Sequence, residues 1–474
     1  MRAAMAAESA GIPSVSIVCE GFDRQALATA RGHGYDDLPL AVTDGHVDAQ
    51  AADVMIERFL ASTVDEVVAG LTIDTSSNAP DDREHRAEEP GALDIVVRGS
   101  IEHIHQHFVD TGWTDGHPFV PPTPDRVEAF LEDSGHDPWK ALGTATSSGR
   151  DLTVWSIAVN AVMAGCRPEH LPVLLAMAET LADPAYGAEH SGNTTGADAL
   201  AVVSGPNTEA LGFTHGVGAL REGTHANTAV GRWLRLYLRN VFGFTSDEHD
   251  KATFGNSTRV VLAEDDRCLD EIGWTTLAED LGAGPGVDAV TMARLNSGTI
   301  IGSVFGSSPD EMLPYLGNGL ARTAAWDLTH VHGLGHDQFA PLLILSPVLA
   351  RNFAAAGWTK SDLQQGLFDH ARIPATVFEH LIGEWTNLTA GRPRLVDLVD
   401  EGALPSVYAV SSDPNRLVPI VMRPERLLIA VSGDPNRTNA YAFSNDGPHG
   451  WWTTRPVEHT PASDLVCDVE VTGP

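Results

Sequence analysis

Short apolar runs alternate along this chain with longer stretches in which apolar residues recur every third or fourth position, the pattern of an α/β protein. In the first block, residues 1–73, Val15-Ser16-Ile17-Val18-Cys19 and Leu38-Pro39-Leu40-Ala41-Val42 read as short strands. A short helix is expected over 25–31, and an amphipathic one over 50–70, where Val54, Ile56, Phe59, Leu60 and Val67 supply the apolar positions. Strand, helix, strand, helix is half of a parallel layer. The block opens on a helix-like run and has no strand to begin the layer, so a small, incomplete α/β unit is expected.

Residues 74–92 carry Thr75-Ser76-Ser77-Asn78-Ala79-Pro80 and then alternating acids and bases up to Pro90, with nothing to bury. They read as a flexible acidic linker. Residues 93–474 form a larger α/β domain with an internal echo. Ala199-Leu200-Ala201-Val202-Val203-Ser204-Gly205-Pro206 is a strand ending in a small-residue–Pro turn, followed by a short helix up to Leu211-Gly212. Pro341-Leu342-Leu343-Ile344-Leu345-Ser346-Pro347 repeats the plan, with a helix up to Ala356-Gly357. A further helix follows each unit, over 226–241 and 361–371. Leu427-Leu428-Ile429-Ala430-Val431-Ser432-Gly433 is a third strand of the same style. The repeated plan suggests a duplicated domain.

Charge narrows the range of functions. The 474 residues carry 30 basic and 64 acidic side chains, a formal charge of −34. Only Lys140, Lys251 and Lys360 are lysines. Such a chain lacks the clustered cations that bind nucleic acid or an anionic membrane surface. The charge itself is accounted for by solubility. No apolar run is long enough for a signal peptide or a membrane span, and the four cysteines form no CxxC pair, so a soluble protein of the reducing cytoplasm is expected.

Four stretches carry candidate chemistry. Cys166, between helical runs at 154–164 and 168–181, precedes a helix start whose dipole would favour a thiolate, with Arg167 adding charge. The alternative is a small residue in a tight turn. The rigid stretch Thr111-Gly112-Trp113-Thr114-Asp115-Gly116-His117-Pro118 offers Asp115 and His117 as site residues, or else serves as an architectural clamp. A Gly-rich loop runs from Phe213 through His215 to His225 and opens a helix carrying Asn227 and Arg232. It would suit a carboxylate or phosphate, although it matches no nucleotide-binding fingerprint. His330, His332 and His336 have the spacing of ligands for Zn, Fe or Ni, while His103, His105 and His107 read as a solvated helix face.

Ala10-Gly11-Ile12-Pro13-Ser14-Val15-Ser16-Ile17-Val18 with Phe22 resembles the tail of the UGSC-like domain. That bacterial (seleno)protein family is named for a selenocysteine-or-cysteine–Gly–Ser–Cys signature. Longer members carry stretches similar to 112–118, 120–123, 160–169, 226–232 and 357–362 of this chain. The resemblance implies thiol or redox chemistry. The signature, expected ahead of Gly11-Ile12-Pro13, is not seen in the residues that precede it, and Cys19 stands elsewhere. The resemblance therefore suggests a second chain that completes the first layer, or a homo-oligomer. Three roles follow. In the first, an enzyme subunit acts on a small anionic substrate through Cys166, with Asp115 or His225 as acid or base and Arg167, His117, His215, Asn227 and Arg232 binding. In the second, a metal-dependent hydrolase or lyase works at His330, His332 and His336, with a divalent ion as cofactor. In the third, a non-catalytic subunit serves a redox partner.

Overall fold

The structure is a computed structural model that describes residues 2–35, 38–73, 90–246, 249–255, 260–332, 337–386 and 391–459. The expected linker lies almost wholly outside the described residues, as does His336.

The first unit runs α1 (Arg2–Ser9), β1 (Ser16–Cys19), α2 (Asp23–Gly32), β2 (Leu40–Thr43), α3 (Ala52–Arg58) and α4 (Val64–Leu71). Strands β1 and β2 pair in parallel, Ser16 opposite Leu40 through Cys19 opposite Thr43. A five-residue π segment, Phe59–Thr63, joins α3 to α4 into one helical run. Thr63 and Gly70 are its buried positions, and Gly70 is packed so closely on Val15 and Pro39 that a side chain there would collide. The amphipathic expectation fails for part of this run: Val54, Ile56 and Leu60 point to solvent. The unit's own core is small, holding Ala4, Met5, Ala30, Tyr35 and Leu38. It is docked on the rest of the chain by His33 Nε2 on the Thr146 carbonyl (2.7 Å) and by the Gln25 amide on the His249 carbonyl (3.1 Å).

The larger region continues with α5 (Ile101–Asp110), α6 (Pro124–Leu131), β3 (Ala141–Thr144), β4 (Asp151–Thr153), α7 (Val154–Ala164) and α8 (Leu171–Ala182). Then come β5 (Asp198–Ser204), α9 (His225–Asn240), β6 (Val260–Ala263), α10 (Asp266–Ile272), α11 (Leu277–Asp280), β7 (Ala289–Ile301) and α12 (Pro309–Ala321). The chain closes with β8 (Leu342–Leu345), α13 (Pro347–Ala355), α14 (Lys360–His370), the short pair β9 (Arg372–Pro374) and β10 (Leu417–Pro419), β11 (Leu428–Val431), β12 (Ala440–Asn445) and β13 (Thr453–Pro456). Residues after Pro206 form turns instead of the expected short helix.

The main sheet has the order β11-β8-β12-β7-β5-β6, with β13 beside β7. The duplication expected from the strand–turn echo reappears in this order. In the first half, β6 lies parallel to β5 on the outside and β7 lies antiparallel to β5 on the inside. In the second half, β11 and β12 flank β8 in the same way. The registers correspond as well. Val203 faces Ala263 as Leu345 faces Val431, and the Glu264 N–H bonds Val203 O (3.0 Å) as the Ser432 N–H bonds Leu345 O (2.9 Å). The halves meet along β7 and β12 as antiparallel neighbours. The sheet also curls until the outer strands touch, where the Asp265 N–H donates to Val431 O at 2.8 Å.

Curling gives the sheet an inside and an outside. Alternate strand residues such as Leu200, Val202, Leu262, Leu342 and Ile344 form the inner core. Their neighbours face out against two helical groups. Helices α7, α8 and α9 cover the first half, while α12, α13 and α14 cover the second. Helices α7 and α8 are apolar nearly all round and are accordingly buried. The Thr153 hydroxyl caps α7 by accepting the Ser156 N–H (3.1 Å), and Gly165, at φ +80°, ends it.

Candidate functional site

The carboxyl ends of β6 and β11 meet where the sheet closes, beside the Gly-rich loop. In open α/β sheets this kind of position holds ligands. The loop's His215 is fixed through its backbone: its carbonyl accepts the Gly433 N–H (2.6 Å) and the Ser432 hydroxyl (3.0 Å). Its Nδ1 lies 3.5 Å from Asp265 Oδ2, an ion-pair separation, and the side chain keeps partial contact with solvent. The Asp265 carboxylate holds the imidazole's pKa above the ordinary histidine value, against the opposing effect of burial, and Glu209 and Asp266 add to this. For Asp265, burial would raise the pKa, but His215 and the Cys268 N–H (3.0 Å) overcome it and the carboxyl is lowered.

Two further carboxyls lie beside this pair. Glu264 is sealed in the interior. Its Oε2 accepts the Ser204 hydroxyl (2.6 Å) and the Leu277 N–H (2.8 Å), Oε1 has no partner, and burial raises its pKa. Asp266 accepts the Gly205 N–H (2.8 Å) and is pushed up to about 7 by burial, with the Glu264 charge next in effect. Sequence reasoning passed over Glu264, Asp265 and Asp266, although three consecutive acids directly after a buried strand were a visible signal.

The same loop runs from Phe213 to His225 and reaches the turn carrying Cys166. His170 joins the two. Its Nδ1 accepts the Arg167 N–H (3.2 Å), its Nε2 bonds Leu211 O (3.2 Å), and its ring lies against Phe213 (5.8 Å) and His225 (5.9 Å). Accepting at Nδ1 leaves Nε2 to donate, which is the neutral form that burial also favours. His225 is exposed at the first turn of α9, and Arg167 is exposed as well. His170 was not among the sequence candidates.

The other sequence candidates have the following surroundings. Cys166 is half-buried behind the Gly165 turn, its N–H on Ala161 O (2.9 Å), and desolvation pushes its thiol above the usual range. Desolvation there acts against the thiolate that the helix end would favour. Asp115 is no free acid or base. Arg232 grips it through Nε (3.1 Å) and Nη2 (3.0 Å), and the His117 N–H (3.2 Å) adds a third bond. Burial would raise its carboxyl, but the guanidinium overrides this and lowers it. Arg232 is thereby neutralised and also holds the His117 carbonyl (3.2 Å), which ties the 111–118 stretch to α9. The His117 side chain is exposed beside it. Asn227 is occupied too, accepting the Thr214 N–H (2.9 Å) and donating to Thr214 O and Val261 O (3.2 Å each).

His330 is fully buried at the end of a short 3₁₀ turn, near Trp326 (5.5 Å) and His449 (6.4 Å), and burial pushes it down to about 4. His332 is half-buried. Among the described residues no three His, Cys, Asp or Glu side chains are grouped to hold a metal ion. His105 and His107 lie on α5, stacked on Phe119 and edge-on to Trp113, so this helix face is packed on aromatic rings and not simply solvated.

The fold and this site define an α/β protein whose curled sheet carries a histidine–carboxylate pair at its strand ends. Residues 1–73 match the model of the UGSC family, and that unit is UGSC-like. No curated protein and no solved structure matches the chain. No described helix is long and apolar enough to cross a membrane.

Proposed function

We propose that this chain is an enzyme subunit acting on a small organic anion, with His215 as acid–base group and Asp265 as its orienting partner. The observation that carries this reading is one half-exposed imidazole, held by a buried carboxylate, where two strand ends and a Gly-rich loop converge. The same loop leads to His225, Arg167 and the first turn of α9, whose free N–H groups suit a substrate carboxylate or phosphate. Thiol chemistry at Cys166 is disfavoured by the desolvation that raises its thiol. The test is untargeted metabolite profiling. Wild-type protein incubated with a metabolite extract should consume an anionic compound that His215→Gln leaves untouched, and equal consumption by both proteins would reject the role.

A second observation supports a partner for residues 1–73. Along the α3–α4 run, Ile56, Leu60, Val64, Val67, Val68 and Leu71 fall on one side of the helix. Leu60 is 67% exposed and Ile56 54%. Ile17 of the two-stranded sheet is exposed as well. Parallel sheets are normally covered on both faces, and two strands alone are marginal. This unit therefore reads as one layer of an assembly that a second chain or a second copy completes. Native mass spectrometry should find a complex that Leu60→Asp dissociates. A monomer unaffected by that change would reject the assembly.

A further inference from the structure

The segment that leads into α5 carries strand-forming residues but joins no sheet. In Leu93-Asp94-Ile95-Val96-Val97-Arg98 a period of two puts Leu93, Ile95 and Val97 on one side and Asp94, Val96 and Arg98 on the other. From Asp94 to Arg98 the backbone is neither helical, turned nor bent. Among the described residues, no N–H or C=O from Ile95 to Arg98 has a hydrogen-bond partner within the chain. Asp94 alone is tied locally: its N–H donates to the Gly91 carbonyl (2.9 Å) and its Oδ2 accepts the Gly91 N–H (2.8 Å). Val97 rests against the core under α7, α8 and α9. Ile95, on the same side, is 60% exposed, Leu93 is 55% exposed, and Ile101, the first residue of α5, is 61% exposed. A free backbone edge among exposed aliphatic residues is a template for another strand.

The segment's own sequence is complementary to itself. Laid antiparallel on a second copy about a two-fold axis through Val96, it sets Asp94 opposite Arg98, Ile95 opposite Val97, and Val96 opposite Val96. Directly opposed residues share a face, so each acid meets a base and each aliphatic residue meets another. No other antiparallel register opposes the two charges. One face then carries two ion pairs around the Val96 pair. The other face, turned toward the bodies of the two molecules with Val97, carries Ile95 against Val97 twice and so covers Ile95. Leu93 falls opposite Gly99, where no side chain obstructs it.

We infer that Asp94–Arg98 pairs with itself across a homodimer of this chain. Main-chain bonds between the two segments supply the affinity, and the opposed charges fix the register. Five residues span only roughly 17 Å. Such a pair buries less surface than a permanent dimer needs, so the association is reversible and concentration-dependent. It uses neither the His215–Asp265 pair nor the exposed side of α3–α4, and it stands if either of those readings fails.

Sedimentation velocity on the full chain, over a wide range of concentration, tests this. Wild type should pass from monomer to dimer. Asp94→Arg and Arg98→Asp should each weaken the dimer about tenfold or more, because each turns both cross-strand attractions into repulsions. Both side chains are exposed, so the fold itself is not at stake. The two changes move the net charge of −34 in opposite directions, so a general charge effect would strengthen one dimer and weaken the other. The double variant opposes the charges again and should dimerise as wild type does. Hydrogen-exchange mass spectrometry should show the 93–99 backbone gaining protection as the dimer forms. A monomer at every concentration, single variants that shift in opposite directions, or a double variant that stays dissociated would overturn the proposal. So would a dimer that leaves the 93–99 backbone unprotected, or one that Leu60→Asp dissociates and neither charge reversal weakens.

Discussion

Replacing Asp115 by Asn separates a structural role from a catalytic one. The Asp115 side chain is 4% exposed and that of Arg232 19%, and two N–H···O bonds of 3.0 and 3.1 Å join them. Removing one partner of a fully buried pair costs about 3–5 kcal/mol, because the other charge is left uncompensated. Here the cost is smaller. Arg232 keeps its bond to the His117 carbonyl and regains some water, and asparagine can still accept the His117 N–H. About 2–3 kcal/mol is expected. Unfolding entropy near 2.1 cal/mol/K per residue gives roughly 0.8 kcal/mol/K for a unit of about 380 residues, so Tm should fall by about 3 °C. Arg232→Gln should cost a similar amount. The double variant should cost less than the two together, since the second change removes a charge already stranded. Acid should act in the same direction. The lowered Asp115 carboxyl adds stability above its unfolded pKa and loses it as pH falls through the folded value, so the variant should be less sensitive to acid there. Differential scanning calorimetry of the four proteins measures all of this. Unchanged Tm in both single variants, or strict additivity, would refute the clamp and return both residues to the site.

Other consequences are simpler to check. Cys166 should react slowly with iodoacetamide at pH 8 in the folded protein and faster after denaturation, read by peptide mass spectrometry; rapid native labelling would contradict a thiol held protonated. Asp266 and Asp327 both have pKa values raised to about 7, so the protonated forms stabilise the fold, fully below the unfolded carboxyl range and less as pH rises through 7. Asp266→Asn should therefore gain Tm over wild type at pH 8 and little at pH 4, and equal shifts at both would exclude that carboxyl. For Leu60→Asp, removal of an exposed apolar group should leave Tm within a degree or so while weakening self- or partner association, and a large fall in Tm would show that Leu60 is part of the unit's own core.

Much of the fold could be read from local patterns. The strands at 199–204 and 342–345 are buried on both faces and so appear as unbroken apolar runs, and the Pro turns after them mark the duplication. Strand β7 could not be read this way. Its 13 residues include Arg294, Asn296, Ser297 and Gly298, and Arg294 is tolerated inside only because Asp446, the Tyr186 and Gly187 carbonyls and the His449 carbonyl receive it. All of those partners lie more than a hundred residues away. The site divides along the same line. Placing His215 on a loop suited to anions needed only local sequence. Pairing it with Asp265, or pairing Asp115 with Arg232, needed knowledge of which strand ends meet when the sheet curls.

The central claim is that Asp265 holds His215 as a titrating acid–base group. NMR titration of ¹³C-labelled histidine measures this directly, with His215 assigned through His215→Gln. The account predicts a His215 midpoint above that of an ordinary histidine, displaced downward in Asp265→Asn, with the stabilising effect of the pair present at low pH and lost as pH rises through the midpoint. A midpoint at or below the ordinary value, or one that Asp265→Asn leaves in place, would contradict it.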